Sequence, residues 1–267
     1  MKPAEITCSG LTAVRNSKPM IHHITNTVVM NFTANVTLCL GASPVMAPCI
    51  EESPEMVQFA GALLLNTGTL DPNLIGSMLA AGRVANELGI PVIFDPVGAG
   101  ATGLRTDSAK MIVCELDITI IRGNAGEILA LSGADGRVRG VDSMDSVEGR
   151  IDHLSSFAAD SGSVIAVTGV RDFVTDGNRT AGIDNGHPIM GMVTGTGCSA
   201  TTSVACFAAA AEDPFNAAVG GLAALGIAGE VAADACAGPG TFVPCFLDAI
   251  SSLDSDIIES RIRAEIF

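Results

Sequence analysis

Basic residues are scarce in this sequence. It contains 14 Lys and Arg against 29 Asp and Glu, which gives a formal net charge of -15 at pH 7. Nucleic acids and anionic membrane surfaces are bound by proteins with a basic face. The charge balance therefore argues against both as partners, and its first consequence is solubility.

Paired cysteines and a leader segment are also missing. None of the 8 cysteines stands in a C-x-x-C pair and most lie in apolar runs, which is typical of free thiols in a reducing compartment and not of disulfides or a zinc site. The first residues lack the apolar run of a signal peptide. Residues 19–50 carry no Asp, Glu, Lys or Arg, but polar residues and prolines interrupt them, so no membrane span is expected. We therefore expect a cytoplasmic protein.

The length and composition fit one globular domain. The chain has 267 residues, of which 48% are hydrophobic and 16% are charged. These values allow a large core and argue against disorder. Because no linker, low-complexity tract or clear repeat divides the chain, we predict a single domain over residues 1–267.

Apolar strands alternate with helices along most of the chain. Strands are predicted at 61–66, 91–95, 117–121 and 163–167, with a short strand or loop at 42–47 and a hairpin within 171–190. Helices are predicted at 4–17, 28–40, 73–88, 106–115, 124–132 and 143–160, and over 198–262 with breaks near Pro214, Gly220-Gly221 and Gly238-Pro239-Gly240. Strands that are apolar on both faces and alternate with helices indicate an α/β fold, a mostly parallel central sheet with helices on both faces.

Polar residues follow the predicted strands. Asp95 ends one strand, Arg122 and Glu127 follow the next, and Thr168 follows a third. Ligands of such sheets bind at the carboxyl ends of the strands. Phosphoryl transfer uses carboxylates for Mg²⁺, a cation for the phosphates and donors for the developing charge. The sequence therefore predicts a phosphoryl-transfer site at this edge.

A glycine-rich turn precedes the helix predicted from residue 198. Gly195, Thr196 and Gly197 let consecutive amides converge at a helix N-terminus, which favours an anion. The thiol of Cys198 at this position is expected to ionise more easily than in solution. On this stretch alone, a tight loop followed by a small packing residue is an equal alternative.

The segment before the second helix is rich in polar side chains. His22 and His23 are expected to be hydrogen-bonded structural residues, because adjacent positions point apart and would not chelate one metal ion. Asn26 is expected either to cap the helix or to present its amide to a ligand.

Other nucleotide motifs are weaker. Residues 98–103 satisfy G-x-G-x-x-G and residues 195–200 satisfy G-x-G-x-x-A, but neither is followed by an acidic residue near the expected distance, so an NAD-type enzyme is disfavoured. The P-loop pattern is absent, so ATP would need another architecture. A non-catalytic nucleotide sensor stays an alternative.

The combination of segments resembles the hydroxyethylthiazole kinase family of thiamine salvage, in order and over nearly the whole chain. The segments are IHHITNTV at 21–28, GASPVM at 41–46, DPVGAG at 95–100, RGNAGE at 122–127 and VTGTGC at 193–198. The resemblance implies a ribokinase-like fold and Mg²⁺-assisted, ATP-dependent phosphorylation of the primary hydroxyl of 4-methyl-5-(2-hydroxyethyl)thiazole.

The resemblance also implies roles for single residues. The thiazole would be contacted by Met46 and Gly195, with Asn26 nearby, and the ATP phosphates by Arg122 and Thr168. Asp95 and Glu127 would organise Mg²⁺ and its waters. The catalytic turn would consist of Thr196, Gly197 and Cys198.

Two further expectations follow from the resemblance. Many ribokinase-like enzymes place an Asp base where this chain has Cys198, and we expect the thiol to orient the hydroxyl and to assist only weakly. A homotrimer with sites between subunits is implied as well. A related kinase for hydroxymethylpyrimidine or pyridoxal, and a nucleotide-dependent hydratase on the same fold, are the alternatives, because small changes in a ligand alter binding only modestly.

Overall fold

A nine-stranded sheet runs through the computed structural model, which describes residues 1–133 and 150–267. The strands are β1 Met20–Ile24, β2 Ser43–Met46, β3 Ala62–Asn66, β4 Val92–Asp95, β5 Ile120–Asn124, β6 Val164–Thr168, β7 Asp172–Thr175, β8 Thr180–Ile183 and β9 Ala264–Ile266. They lie in the order β2-β1-β3-β4-β5-β6-β7-β8-β9. Neighbours among β1 to β6 are parallel, and β7, β8 and β9 are added antiparallel.

Helices cover both faces of this sheet. In the described part of the chain they are α1 Pro3–Ser17, α2 Met30–Leu40, α3 Ser53–Met56, α4 Pro72–Leu88, α5 Gly103–Glu115, α6 Ala125–Leu131, α7 Ile151–Ser161, α8 Thr196–Ala208, α9 Pro214–Ala235, α10 Pro239–Ser252 and α11 Ser255–Arg261, with 3₁₀ turns at Val57–Phe59 and Pro188–Met192. One apolar core joins the sheet to α1, α2 and α8 to α11, and a second joins it to α4 to α7. Successive strand residues alternate between the two cores, as Leu64 and Leu65 do. The predicted α/β architecture is confirmed.

Two strands were not predicted, and one predicted strand lies at different residues. The sequence patterns missed β1, whose His22 and His23 are polar although fully buried, and β9, which is only three residues long. The strand predicted at 117–121 lies at Ile120–Asn124. Asp117, the first residue of the predicted strand, lies outside β5, and its amide donates to Oδ1 of Asn86 at 2.9 Å. Arg122 therefore lies within the strand and not after it.

The predicted helices mostly agree with the structure. The breaks near Pro214 and residues 238–240 are confirmed, since α9 begins at Pro214 and α10 begins at Pro239. Of the helix predicted at 143–160, the described part is Ile151–Ser161, and residues 143–149 lie outside the described residues.

The break predicted at Gly220-Gly221 is wrong, because α9 continues through both glycines. A Cβ atom on Gly221 would lie 2.8 Å from Cα of Val204 in α8, and one on Gly220 would lie 2.9 Å from the Phe207 ring. The glycines thus allow two core helices to approach closely. Among the described helices, α9 alone is long and apolar enough to cross a membrane, but 83% of its apolar window is buried inside the protein, as in a core helix.

Gly221→Ala is expected to destabilise the protein by about 1–3 kcal/mol, because the new methyl group would meet the backbone of α8. This effect opposes intrinsic helix propensity, which favours alanine by about 1 kcal/mol. Gly240 is a matched control in α10, since nothing lies within 4 Å of a Cβ placed there. Urea unfolding of both variants measures the difference, and equal stabilities would contradict the packing argument.

Candidate functional site

The carboxyl ends of β3 to β6 meet the start of α8 at one edge of the sheet. The register aligns Asn66 with Asp95, and Asn124 with Thr168. Helix α8 packs across β3 and β4, which brings the Cys198 sulfur to 3.3 Å from Nδ2 of Asn66. Polar residues predicted from three separate strand ends are thus close to one helix N-terminus, together with Asn66 from a fourth.

Asp95 lies at the centre of this edge and is 1% exposed. Its Oδ2 accepts hydrogen bonds from Nδ2 of Asn66 at 2.9 Å and from the hydroxyl of Thr201 at 2.7 Å. Its Oδ1 is buried and has no hydrogen-bond partner among the described residues. Burial raises the pKa of Asp95 to about 6, although the Arg122 guanidinium opposes that rise.

Arg122 connects three elements of the site. Its Nη1 lies 3.7 Å from Oδ2 of Asp95, and its Nη2 donates to the hydroxyl of Thr168. A Cβ atom on Gly197 would lie 3.5 Å from Nη1, so the guanidinium sits directly beside the start of α8. This side chain is 7% exposed, and a buried cation next to helix amides favours an anionic ligand.

The turn before α8 depends on a glycine. Gly195 has φ +95, in the left-handed region that other residues rarely adopt. Space is also restricted, because a Cβ atom here would lie 2.8 Å from Cδ1 of Phe32. This turn aims the helix start at the strand ends.

The first amides of α8 are offered to a ligand. Within the helix, the amide of Ser199 donates to the carbonyl of Gly195 at 2.8 Å. The amides of Thr196, Gly197 and Cys198 precede it and have no acceptor inside the helix. The Thr196 hydroxyl is used locally, since it donates to the carbonyl of Met190 at 2.8 Å, so this residue contributes its amide rather than its side chain.

The Cys198 thiol does not match its expected acidity. Burial raises its pKa, and the negative charge of Asp95 raises it further. Hydrogen bonds from Asn66 and Asn26 and the charge of Arg122 act in the opposite direction but do not reverse the shift. The raised pKa contradicts the expectation of an easily ionised thiol, because burial and the charge of Asp95 disfavour the thiolate.

The Glu127 side chain caps the N-terminus of α6 and also contacts the loop that follows β4. Its Oε2 accepts the amide of Asn124 at 2.8 Å while its own amide donates to Oδ1 of Asn124, which completes a capping box. Its Oε1 accepts the amide of Gly98 at 2.8 Å. Each carboxylate oxygen has a second lone pair, so these bonds still allow one more ligand.

The donor set around Asp95 and Glu127 fits Mg²⁺ better than a metal held by protein alone. Among residues 1–133 and 150–267, no group of three or more His, Cys, Asp and Glu could hold a metal ion. Mg²⁺ is usually bound through one or two carboxylates, with waters and substrate phosphates as the other ligands. The unpartnered Oδ1 of Asp95 provides such a ligand.

Asn26 contacts Cys198, and Met46 lies at the end of a neighbouring strand. The Asn26 side chain caps the turn before α2, because its Oδ1 accepts the amides of Val28 and Val29 at 3.1 and 3.2 Å. Its Nδ2 lies 3.6 Å from the Cys198 sulfur. Met46 ends the edge strand β2, paired in register with His23, and no hydrogen bond or ion pair joins it to the other predicted residues.

His22 and His23 have the structural roles that were expected. Nε2 of His22 is 2.9 Å from the carbonyl of Ala47, and Nε2 of His23 is 3.2 Å from the hydroxyl of Thr37. Burial lowers the pKa of His23 to about 3, so this ring is neutral.

A cleft of about 780 Å³ opens beside the start of α8. Its lining includes Arg122, Thr168 and Gly197, apolar side chains such as Phe173 and Leu225, and further polar residues such as Asp172 and Asn185. Pockets for small molecules and cofactors have about this size and mixture of residues. The cleft is therefore the candidate site for a small-molecule ligand.

Sequence reasoning missed two side chains that hold the site together. Asn66 is fully buried and contacts Asp95, Cys198 and Asn26, while Thr201 is fully buried and donates to Asp95. Asn66 could have been found, because it ends a predicted strand. Thr201 gave no comparable signal, since it stands among small residues inside a helix.

Comparisons with known proteins agree with these features. Residues 11–256 match the model of the hydroxyethylthiazole kinase family. A hydroxyethylthiazole kinase from Methanocella arvoryzae is 50% identical over 253 residues, which cover 95% of this chain and 95% of the relative.

Solved structures show the same fold. A hydroxyethylthiazole kinase protein from Pyrococcus horikoshii has a TM-score of 0.91 and 38% identity, covering 98% of this chain and 99% of that one. A pyridoxal kinase from Staphylococcus aureus has a TM-score of 0.63 at 14% identity, covering 93% of this chain and 98% of that one, so its likeness concerns the fold alone. The expected ribokinase-like fold is confirmed.

Arg122→Gln is expected to weaken ATP binding by about ten- to a hundredfold, the value of a charged hydrogen bond, because it removes the buried cation beside the helix start. Arg83→Gln is the matched control, since Arg83 pairs with Glu115 on the surface. Titration calorimetry with ATP measures both variants. Equal affinity of the two variants would show that Arg122 does not hold the phosphates.

Proposed function

Because the chain belongs to the hydroxyethylthiazole kinase family, we propose that its cleft binds ATP and that the thiazole alcohol binds on the opposite side of Cys198. The enzyme is a phosphotransferase that acts on the primary hydroxyl of 4-methyl-5-(2-hydroxyethyl)thiazole, and the product serves thiamine salvage. The observation that carries the proposed arrangement is the convergence of Asp95, Arg122 and the amides of α8 around one thiol.

The proposed roles follow the chemistry of each group. Arg122 and Thr168 hold the ATP phosphates, and the amides of Thr196 and Gly197 stabilise the charge of the transferred phosphoryl group. An oxygen–phosphorus bond forms to the alcohol while the bond to the ADP oxygen breaks, and the hydroxyl proton leaves to a phosphate oxygen or to solvent.

Asp95 and Glu127 are proposed to hold Mg²⁺ and its waters. When bound, the Mg²⁺ ion would neutralise part of the phosphate charge. Asp95 would use its unpartnered Oδ1, because its Oδ2 is already held by Asn66 and Thr201. Glu127 keeps the loop after β4 in place through the Gly98 amide.

The thiazole is proposed to lie between Met46 and Gly195, beside Asn26. The amide of Asn26 is held by the Val28 and Val29 backbone and reaches the Cys198 sulfur. Asn26 would therefore shape the pocket while Met46 and Gly195 contact the ring.

We also propose a cytoplasmic homotrimer with its sites between subunits. Met46 lies on edge strand β2, and the side chain of Val28, whose amide contacts Asn26, is 67% exposed, which supports a site that a second subunit covers. All eight cysteines are free thiols, as expected in a reducing compartment. A monomer mass in light scattering would contradict the trimer.

ADP release from ATP and Mg²⁺ should depend on the thiazole alcohol. The purified protein is assayed with hydroxyethylthiazole, hydroxymethylpyrimidine, pyridoxal or no acceptor, and EDTA should abolish the activity. Stimulation by another alcohol alone would favour a related vitamin kinase, whereas nucleotide binding without any stimulation would favour the sensor or hydratase functions.

Cys198→Ala should leave measurable turnover. The raised pKa keeps the thiol protonated at neutral pH, so it is a poor base, and late proton loss makes positioning more important. Steady-state kinetics with the thiazole alcohol measure the effect. Complete loss of turnover in a folded variant would show that the thiol is an essential base.

A further inference from the structure

Two asparagine amides contact the Cys198 sulfur, and backbone groups fix the orientation of each. Oδ1 of Asn66 accepts the amide of Gly68 at 3.0 Å, and Oδ1 of Asn26 accepts the amides of Val28 and Val29. Backbone amides can only donate, so neither side chain can be turned around without losing these bonds. Both NH₂ groups must therefore point into the site.

All hydrogen-bonding positions of the two amides are used. Nδ2 of Asn66 donates one hydrogen to Asp95 at 2.9 Å and the other to the Cys198 sulfur at 3.3 Å. Nδ2 of Asn26 donates to Oδ1 of Asn66 at 2.7 Å and to the same sulfur at 3.6 Å. The sulfur thus accepts hydrogen bonds from two N–H groups. In none of these bonds is its own S–H the donor.

This arrangement determines what the thiol can offer a ligand. Sulfur has two lone pairs and one hydrogen, and the two amides occupy the lone pairs. The S–H bond is the polar function left for the alcohol oxygen. A hydrogen bond from S–H would hold the hydroxyl without taking its proton.

We propose that Asn66 is a positioning residue that, with Asn26, holds the Cys198 thiol as an acceptor so that its S–H is presented to the alcohol. This inference rests on the proposed function. Asn66 donates to both the Cys198 sulfur and Asp95, whereas Thr201 donates to Asp95 without contacting the sulfur. The two side chains therefore provide a matched comparison at the same carboxylate oxygen.

The test is a double-mutant cycle measured as kcat and KM for the thiazole alcohol at saturating ATP. Asn66→Ala should lower kcat about five- to tenfold, the value of one neutral hydrogen bond. KM for ATP, measured separately at saturating thiazole alcohol, should change little. In the Cys198→Ala background the same substitution should lower kcat only as much as Thr201→Val does, because only the hydrogen bond to Asp95 is then left to lose. Thr201→Val should have the same effect in both backgrounds. An equal effect of Asn66→Ala with and without the thiol would overturn the proposal.

A second measurement needs no turnover. The alkylation rate of Cys198 by iodoacetamide is followed against pH by peptide mass spectrometry, with exposed Cys114 as the internal reference. Loss of an N–H donor to the thiolate should move the midpoint for Cys198 upward in Asn66→Ala and leave Cys114 unchanged. An unchanged midpoint for Cys198 would contradict the assigned hydrogen bond.

The controls separate the possible failures. If Asn66→Ala does not fold, Asn66→Leu keeps most of the side-chain volume and removes the donated hydrogen bonds without adding a charge beside Asp95, and the same cycle is run with it. Wild-type protein that releases no ADP with the thiazole alcohol would contradict the proposed function, while the alkylation result would still test the role of Asn66.

Discussion

The burial of the Asp95 carboxylate is the constraint on which the rest of the site depends. A charge at 1% exposure is costly, and its pKa rises to about 6 even with donors in place. Asn66, Thr201 and Arg122 come from a strand, a helix and a second strand, and each directs a polar group at the same oxygen. The requirement to solvate one carboxylate internally therefore fixes the relative positions of β3, β5 and α8.

The apolar packing behind the site also fixes the position of α8. Helix α8 carries the free amides at its N-terminus, and Gly221 lets the backbone of α9 lie close to Val204 of α8. The turn at Gly195 then directs the first residues of α8 toward the strand ends. Precise placement of amides thus depends on rigid core contacts rather than on the loop alone.

Much of the fold and of the residue set could be predicted because both depend on local patterns. Apolar runs gave β3, β4 and β6, and the rule that ligands bind at strand ends selected Asp95, Arg122 and Thr168. Patterns failed where tertiary contacts decide: β1 buries two histidines, and a pair of glycines stays helical because another helix packs on it. The acidity of Cys198 was missed for a similar reason, since burial and the charge of Asp95 cannot be read from the neighbouring sequence.

The reversal of chain direction after β6 has a consequence for the cleft. Since β7 runs antiparallel to β6, its first residues, Asp172 and Phe173, lie at the same edge as the ends of the parallel strands, and the segment after β8 returns to that edge. The turn at 176–179 projects from the opposite edge. The open end of the hairpin therefore forms part of the cleft wall, whereas the turn at its tip takes no part in lining the cleft.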